Sequence, residues 1–150
     1  MRYVDQGVLE RGERIVAEDG ERKRAVLRRA ALLPEVDRML IELAMQHVSR
    51  RQIASLLKTT PGSVCRRVQR LSRRLHDPVV VALMHEHCPL RPQLRQVGVE
   101  RRLLGMTLAA VAQKHQLTRQ EVKRMLEYVT GWHQGLGAGR KLWERRRIER

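Results

Sequence analysis

The chain has 150 residues, of which 42% are hydrophobic but only 3% aromatic, with no Phe, and it carries 31 Lys and Arg against 16 Asp and Glu, a net charge of +15. A core drawn from Leu, Val, Met and Ala favours helix over sheet, since strands are enriched in aromatic and β-branched residues, and that hydrophobic content excludes wholesale disorder. No stretch approaches the ~18 uninterrupted apolar residues of a membrane span, and the N-terminus lacks the basic-then-apolar layout of a secretion signal, so a cytoplasmic, nucleoid-associated protein is expected.

Residues 1–33 read as an N-terminal arm that becomes helical near Glu21, with Ala25, Leu27, Ala30, Ala31 and Leu33 available for burial. Pro34 then opens a second helix, where Val36, Leu40, Leu43 and Ala44 form an apolar stripe. Ser49 with Gln52 three residues later is a capping box that starts a short helix through Leu57. After a turn at Lys58 and Thr59, Thr60 as N-cap and Pro61 behind it start a helix to about Leu75. Residues 34–76 thus form a first helix-turn-helix unit.

Residues 77–130 contain linking helices and a second unit. Asp77-Pro78 starts an apolar helix through Cys88, stopped by Pro89, and another helix runs from Pro92 to about Leu104, ending at Gly105. Thr107 opens a further helix, and Thr118 with Glu121 makes a second capping box. Residues 131–150 read as a Gly-rich, basic tail whose arginines, Arg145, Arg146, Arg147 and Arg150, could track a phosphate backbone. The fold class expected is all-α, with roughly seven to eight helices in tandem tri-helical units.

The two helix pairs align without gaps at an offset of 58 residues: Ser49 with Thr107, Ile53 with Val111, Ala54 with Ala112, Thr60 with Thr118, and Val64 with Val122. Each match has a task. The hydroxyls cap helices, the branched residues fill the core, and Ala permits a close helix crossing. Two unrelated amphipathic helices would share the apolar stripe but rarely the caps and the turn as well.

Charge placement adds a functional signal. Of the 31 basic residues 26 are Arg, and between Leu43 and His76 there are eight Lys or Arg and no Asp or Glu. Arginine-rich composition would spread such residues, whereas concentration on one unit creates a field that attracts polyanions and releases their counterions.

Residues 34–75 resemble region four of bacterial sigma factors, through Val48-Ser49, Gln52-Ile53-Ala54, Leu57, Thr60, Ser63-Val64 and Arg67. Residues 98–130 resemble the same unit more weakly, through Gly105-Met106-Thr107, Val111-Ala112, Thr118 and Val122. That family places Glu where Gln52 stands and Gly where Lys58 stands. The resemblance implies a helix-turn-helix that reads the upstream promoter element in duplex DNA. Promoter melting is not expected, because the arm before the first unit holds a single aromatic, Tyr3, and single strands are gripped by stacking.

In such a motif the second helix enters the major groove. In the first unit that helix presents Ser63, Arg66, Arg67 and Arg70. Arg66 and Arg70, one turn apart, are the expected base readers, since Arg bonds guanine bidentately. Arg50, Arg51, Lys58, Arg73 and Arg74 are placed for phosphates. In the second unit Arg119, Gln120, Lys123 and Arg124 take the equivalent face, diluted by Glu121 and Glu127.

The run His85-Glu86-His87-Cys88 lacks the second ligand pair of a zinc site, Cys65 reads as a small buried residue, and no phosphate-cradling loop, nucleophile elbow or carboxylate cluster is present. No enzyme activity, cofactor or metal is expected. The expectation is a sequence-specific transcription regulator whose partner is double-stranded DNA. Alternatives are an RNA polymerase-docking adaptor, or the DNA-recognition subunit of a phage packaging or transposition machine. Oligomeric state is left open.

Overall fold

Two three-helix units, each preceded by a short helix, make up the computed structural model, which describes the backbone of residues 19–148 and the side chains of residues 19–135. Among the described residues every regular element is a helix, and none is long and apolar enough to cross a membrane. The N-terminal portion of the arm and the tail arginines lie outside the described side chains.

The first helix, α1, spans residues 19–30 and buries Ala30, with Val26 half-buried. It stops before Leu33, where the sequence pattern had carried it. Pro34 disfavours helical backbone at the residue before it, so the chain tightens: Leu32 N–H bonds the Arg29 carbonyl at 3.2 Å and Leu33 N–H the Ala30 carbonyl at 3.0 Å. Leu33 still turns inward at 6% exposure, while Leu27 and Ala31 stay exposed, against expectation.

Helix α2 (Glu35–Met45) uses Pro34 as its N-cap rather than as its first residue. Its inward line is Leu40 and Ile41, with Ala44 half-buried, and Val36 is 44% exposed. The stripe is rotated from the sequence expectation because Asp37 faces inward to accept a 2.6 Å ion pair from Arg67. Helix α3 (Arg50–Leu56) begins with the complete Ser49–Gln52 capping box. Helix α4 (Pro61–Leu75) begins with Ser63 N–H donating to Thr60 Oγ1 at 3.2 Å.

Helix α5 (Pro78–Leu83) is six residues long and ends well before Cys88. The apolar run does not carry the helix further, and Arg95 Nε donates to the freed Leu83 carbonyl at 3.0 Å. Helices α6 (Pro92–Arg102), α7 (Leu108–His115) and α8 (Arg119–Ile148) form the second unit. The expected boundary at Gly131 is not an element boundary, because α8 continues through it.

The 58-residue repeat extends to backbone conformation. Lys58 and Gln116 occupy equivalent turns at φ 49° and 56°, and His47 and Gly105 occupy equivalent turns at φ 60° and 68°. In both units the residue after the α3–α4 or α7–α8 bend closes the same bond: Thr59 N–H to Ala54 O and Leu117 N–H to Ala112 O, each 2.9 Å. The buried anchors also correspond, Ile53 with Val111, Val64 with Val122, and Leu71 with Val129.

The units share a core. Val80 of α5 and Leu103 beyond α6 are buried among Leu40, Ile53 and Leu75 of the first unit. Val79, Leu83, Leu90 and Val129 join α5 to the second unit. Arg102 completes the junction by bonding Asp77 at 2.9 Å and Thr130 at 3.2 Å.

Candidate nucleic-acid interface

The outward face of α4 follows from what the helix buries. Val64, Leu71 and Leu75 point into the core and Val68 is half-buried. With ~100° per residue, Arg66, Arg70 and Arg73 then stand on the opposite side, within about 40° of directly outward for Arg66 and Arg73 and about 60° for Arg70. All three are exposed, and among the described residues no carboxylate lies within ion-pair distance of any of them. Arg66 makes one long hydrogen bond, 3.4 Å, to Ser63 Oγ.

Other candidates in this unit divide by what holds them. Arg50 and Arg51 are exposed on the first turn of α3, and Lys58 is exposed in the bend. Ser63 is half-buried and accepts a 3.0 Å hydrogen bond from Thr60 Oγ1, so its hydroxyl belongs to the helix cap. Arg67 is tied to Asp37, a residue that lies outside the acid-free window and was invisible to a count along the chain. The Arg74 guanidinium packs against Gly105, where even a methyl group would collide with it. Arg67 is thus held in an ion pair across the unit and Arg74 lies against Gly105, whereas Arg66, Arg70 and Arg73 have no such neighbour among the described residues.

The second unit presents a different surface. Val122 and Val129 are buried, with Met125 and Leu126 half-buried, so Gln120, Arg124 and Glu127 face outward. Arg124 occupies the position of Arg66, but Tyr128 stands where Arg70 does and Gly131 where Arg73 does. Tyr128 is 59% exposed, a feature that charge counting missed and the repeat alignment could have located. Arg119 and Lys123 are exposed but sit to the side, Lys123 about 100° from Arg124.

Beneath this face lies a buried ion cluster. Glu100 is 3% exposed. Its Oε1 accepts from Lys114 Nζ at 2.6 Å, and Oε2 accepts from His115 Nε2 at 2.7 Å, which fixes the proton on that ring nitrogen. Burial pushes the Glu100 carboxyl up, but the hydrogen bonds and charges of Lys114 and His115 outweigh it and hold the group below its ordinary value. This cluster ties α6 to the end of α7. Glu121 is also held below the usual range, by hydrogen bonds from the Thr118 backbone and hydroxyl.

Among the described residues no group of three His, Cys, Asp or Glu is arranged to hold a metal. His87 contacts Glu86 at 3.2 Å on an exposed turn. Compared with protein-family models, curated proteins and solved structures, the chain has no match.

Proposed function

We propose that the protein is a DNA-binding transcription regulator in which α4 enters the major groove of duplex DNA. The observation that carries this reading is the outward row Arg66, Arg70 and Arg73, without an acid partner among the described residues, on the second helix of a capped helix-turn-helix unit. In the same unit Arg67 has an acid partner. Cations left unpaired on a rigid helix meet phosphates and guanine edges without first breaking an internal ion pair. The resemblance to sigma region four supports the same assignment.

The second unit is weaker as a reader, since the row that corresponds to Arg66, Arg70 and Arg73 there is Arg124, Tyr128 and Gly131. It serves to position the first unit and to add a limited contact through Gln120 and Arg124. Selection of bound duplexes from a random pool, followed by titration of the winner at two salt concentrations, tests the reading. A defined motif bound at least 10³-fold above random DNA is the expected result. Salt-sensitive binding to every duplex, with no motif, refutes sequence specificity.

A second reading, docking onto a protein such as RNA polymerase, is favoured by exposed apolar side chains on the first unit. Val36 and Met39 of α2 are 44% and 42% exposed, and Leu56 of α3 is 67% exposed. Tight polymerase binding in the absence of DNA is its distinguishing result.

A further inference from the structure

Helix α1 holds five cations between residues 22 and 29, and the structure sorts them. Arg29 turns inward, its Nε donating to the Leu75 carbonyl at the end of α4 at 2.6 Å. Burial, together with the charge of Arg28, lowers its pKa. Relative to the inward line of Val26 and Ala30, Arg22 and Lys23 lie within about 60°, whereas Arg24 and Arg28 point about 140–180° away. Arg22, Lys23, Arg24 and Arg28 are all exposed, and none has an acid partner among the described residues.

Arg22 and Lys23 line a groove of about 300 Å³ together with apolar residues of α2 and with Ser72, Leu75 and His76 of α4. Arg50 of α3 lines a neighbouring groove with Cys65 and Gln69 of α4. Cys65 and Ser72 are seven residues apart and so share one flank of α4, about 10 Å from each other. That is close to three base-pair steps of the duplex axis. On the opposite flank, Arg67 is paired with Asp37 and the Arg74 guanidinium lies against Gly105. Arg22, Lys23 and Arg50, unpaired among the described residues, thus stand beside one flank of α4, contributed by α1 and α3, while Arg24 and Arg28 point away from it.

We infer that α1 is a second DNA-contacting element, in which Arg22 and Lys23 grip the phosphate backbone beside the groove that α4 enters. The inference rests on the DNA-binding reading of α4 and extends it to a helix outside the helix-turn-helix pair. Arg29 is the positioning residue, since its bond to Leu75 fixes α1 against the end of α4. Contacts of this type add affinity without sequence information.

The test titrates the full chain on its selected duplex and on a random duplex over a range of salt. It compares Arg22→Ala/Lys23→Ala with Arg24→Ala/Arg28→Ala, which removes the same charge from the far side of α1. The expected result for the first pair is a salt slope shallower by roughly 1–2 and an affinity about tenfold or more lower at 0.1 M salt on both duplexes. The selected motif should not change, and the second pair should lose less than half as much slope. Arg22→Gln/Lys23→Gln retains longer side chains and replaces the first variant if that one unfolds. Equal losses from both pairs would reduce the effect to net charge and overturn the inference. A wild-type slope in the Arg22/Lys23 variant would overturn it while leaving the α4 reading intact. Failure of the wild-type chain to bind any duplex would sink both.

Discussion

Replacing Arg66 and Arg70 by Ala together is the most direct challenge to the α4 reading. The two lie four residues apart, a rise of about 6 Å, which approaches two base-pair steps of 3.4 Å along the duplex. A bidentate Arg–guanine pair contributes roughly 1–3 kcal/mol of discrimination. Two such pairs give about 2–6 kcal/mol if they act independently, or a 30- to 10⁴-fold loss of preference for the selected site. Nonspecific affinity should fall far less, with the salt slope reduced by at most about 1.8. Stability should move by no more than ~0.5 kcal/mol, because the two side chains are exposed and Arg66 holds only its long contact to Ser63. The assay is competitive titration on selected and random duplexes at two salt concentrations, with a thermal melt as the folding control. Equal losses on both duplexes, at unchanged melting temperature, would refute base reading by these residues.

Two further predictions concern how the frame is held. Glu100→Gln should destabilise the chain by about 1–3 kcal/mol at pH 7, since it removes a buried carboxylate from Lys114 and His115; the half-exposed Lys114 keeps the figure at the low end of buried pairs. Because the folded carboxyl is lowered from its unfolded value of about 4.3, its contribution is full above that pH and fades as pH falls through the folded value. Urea melts at pH 7 and pH 3.5 should therefore show a smaller acid loss in the variant, and an identical loss would dismiss the cluster as a source of stability. Gly105→Ala should lower stability by roughly 1 kcal/mol, or about 2–4 °C in Tm, from its φ of 68°, since the Arg74 guanidinium against it can swing aside. Arg74→Ala should recover little of that loss in the double variant, and full recovery in thermal melts would show that the guanidinium, not the backbone φ, sets the cost.

Much of this protein is legible along the chain because its signals are local. Ser49, Thr60, Thr107 and Thr118 cap the helices that their spacing predicts, since a hydroxyl and the N–H it accepts from are only three residues apart. The repeat announced two units, and backbone at Lys58 and Gln116 confirms that the equivalence reaches the bends. Boundaries failed where distant residues intervened. Helix α5 stops at Leu83, where Arg95, twelve positions away, caps the free carbonyl.

The candidate interface divides in the same way. Sequence alone determined that the first unit is rich in cations and poor in acids, and it put Ser63, Arg66, Arg67 and Arg70 on the presented helix with Arg73 and Arg74 placed for phosphates; burial of Val64, Leu71 and Leu75 then set Arg66, Arg70 and Arg73 as the outward row. Which cations are free was decided only by tertiary structure. Asp37 reaches Arg67 across thirty residues, Gly105 receives Arg74 from another unit, and Leu75 draws in Arg29. A cap operates within one turn of helix and is written in adjacent residues, whereas an ion pair depends on which helices meet, and that is set by the packing of the whole chain.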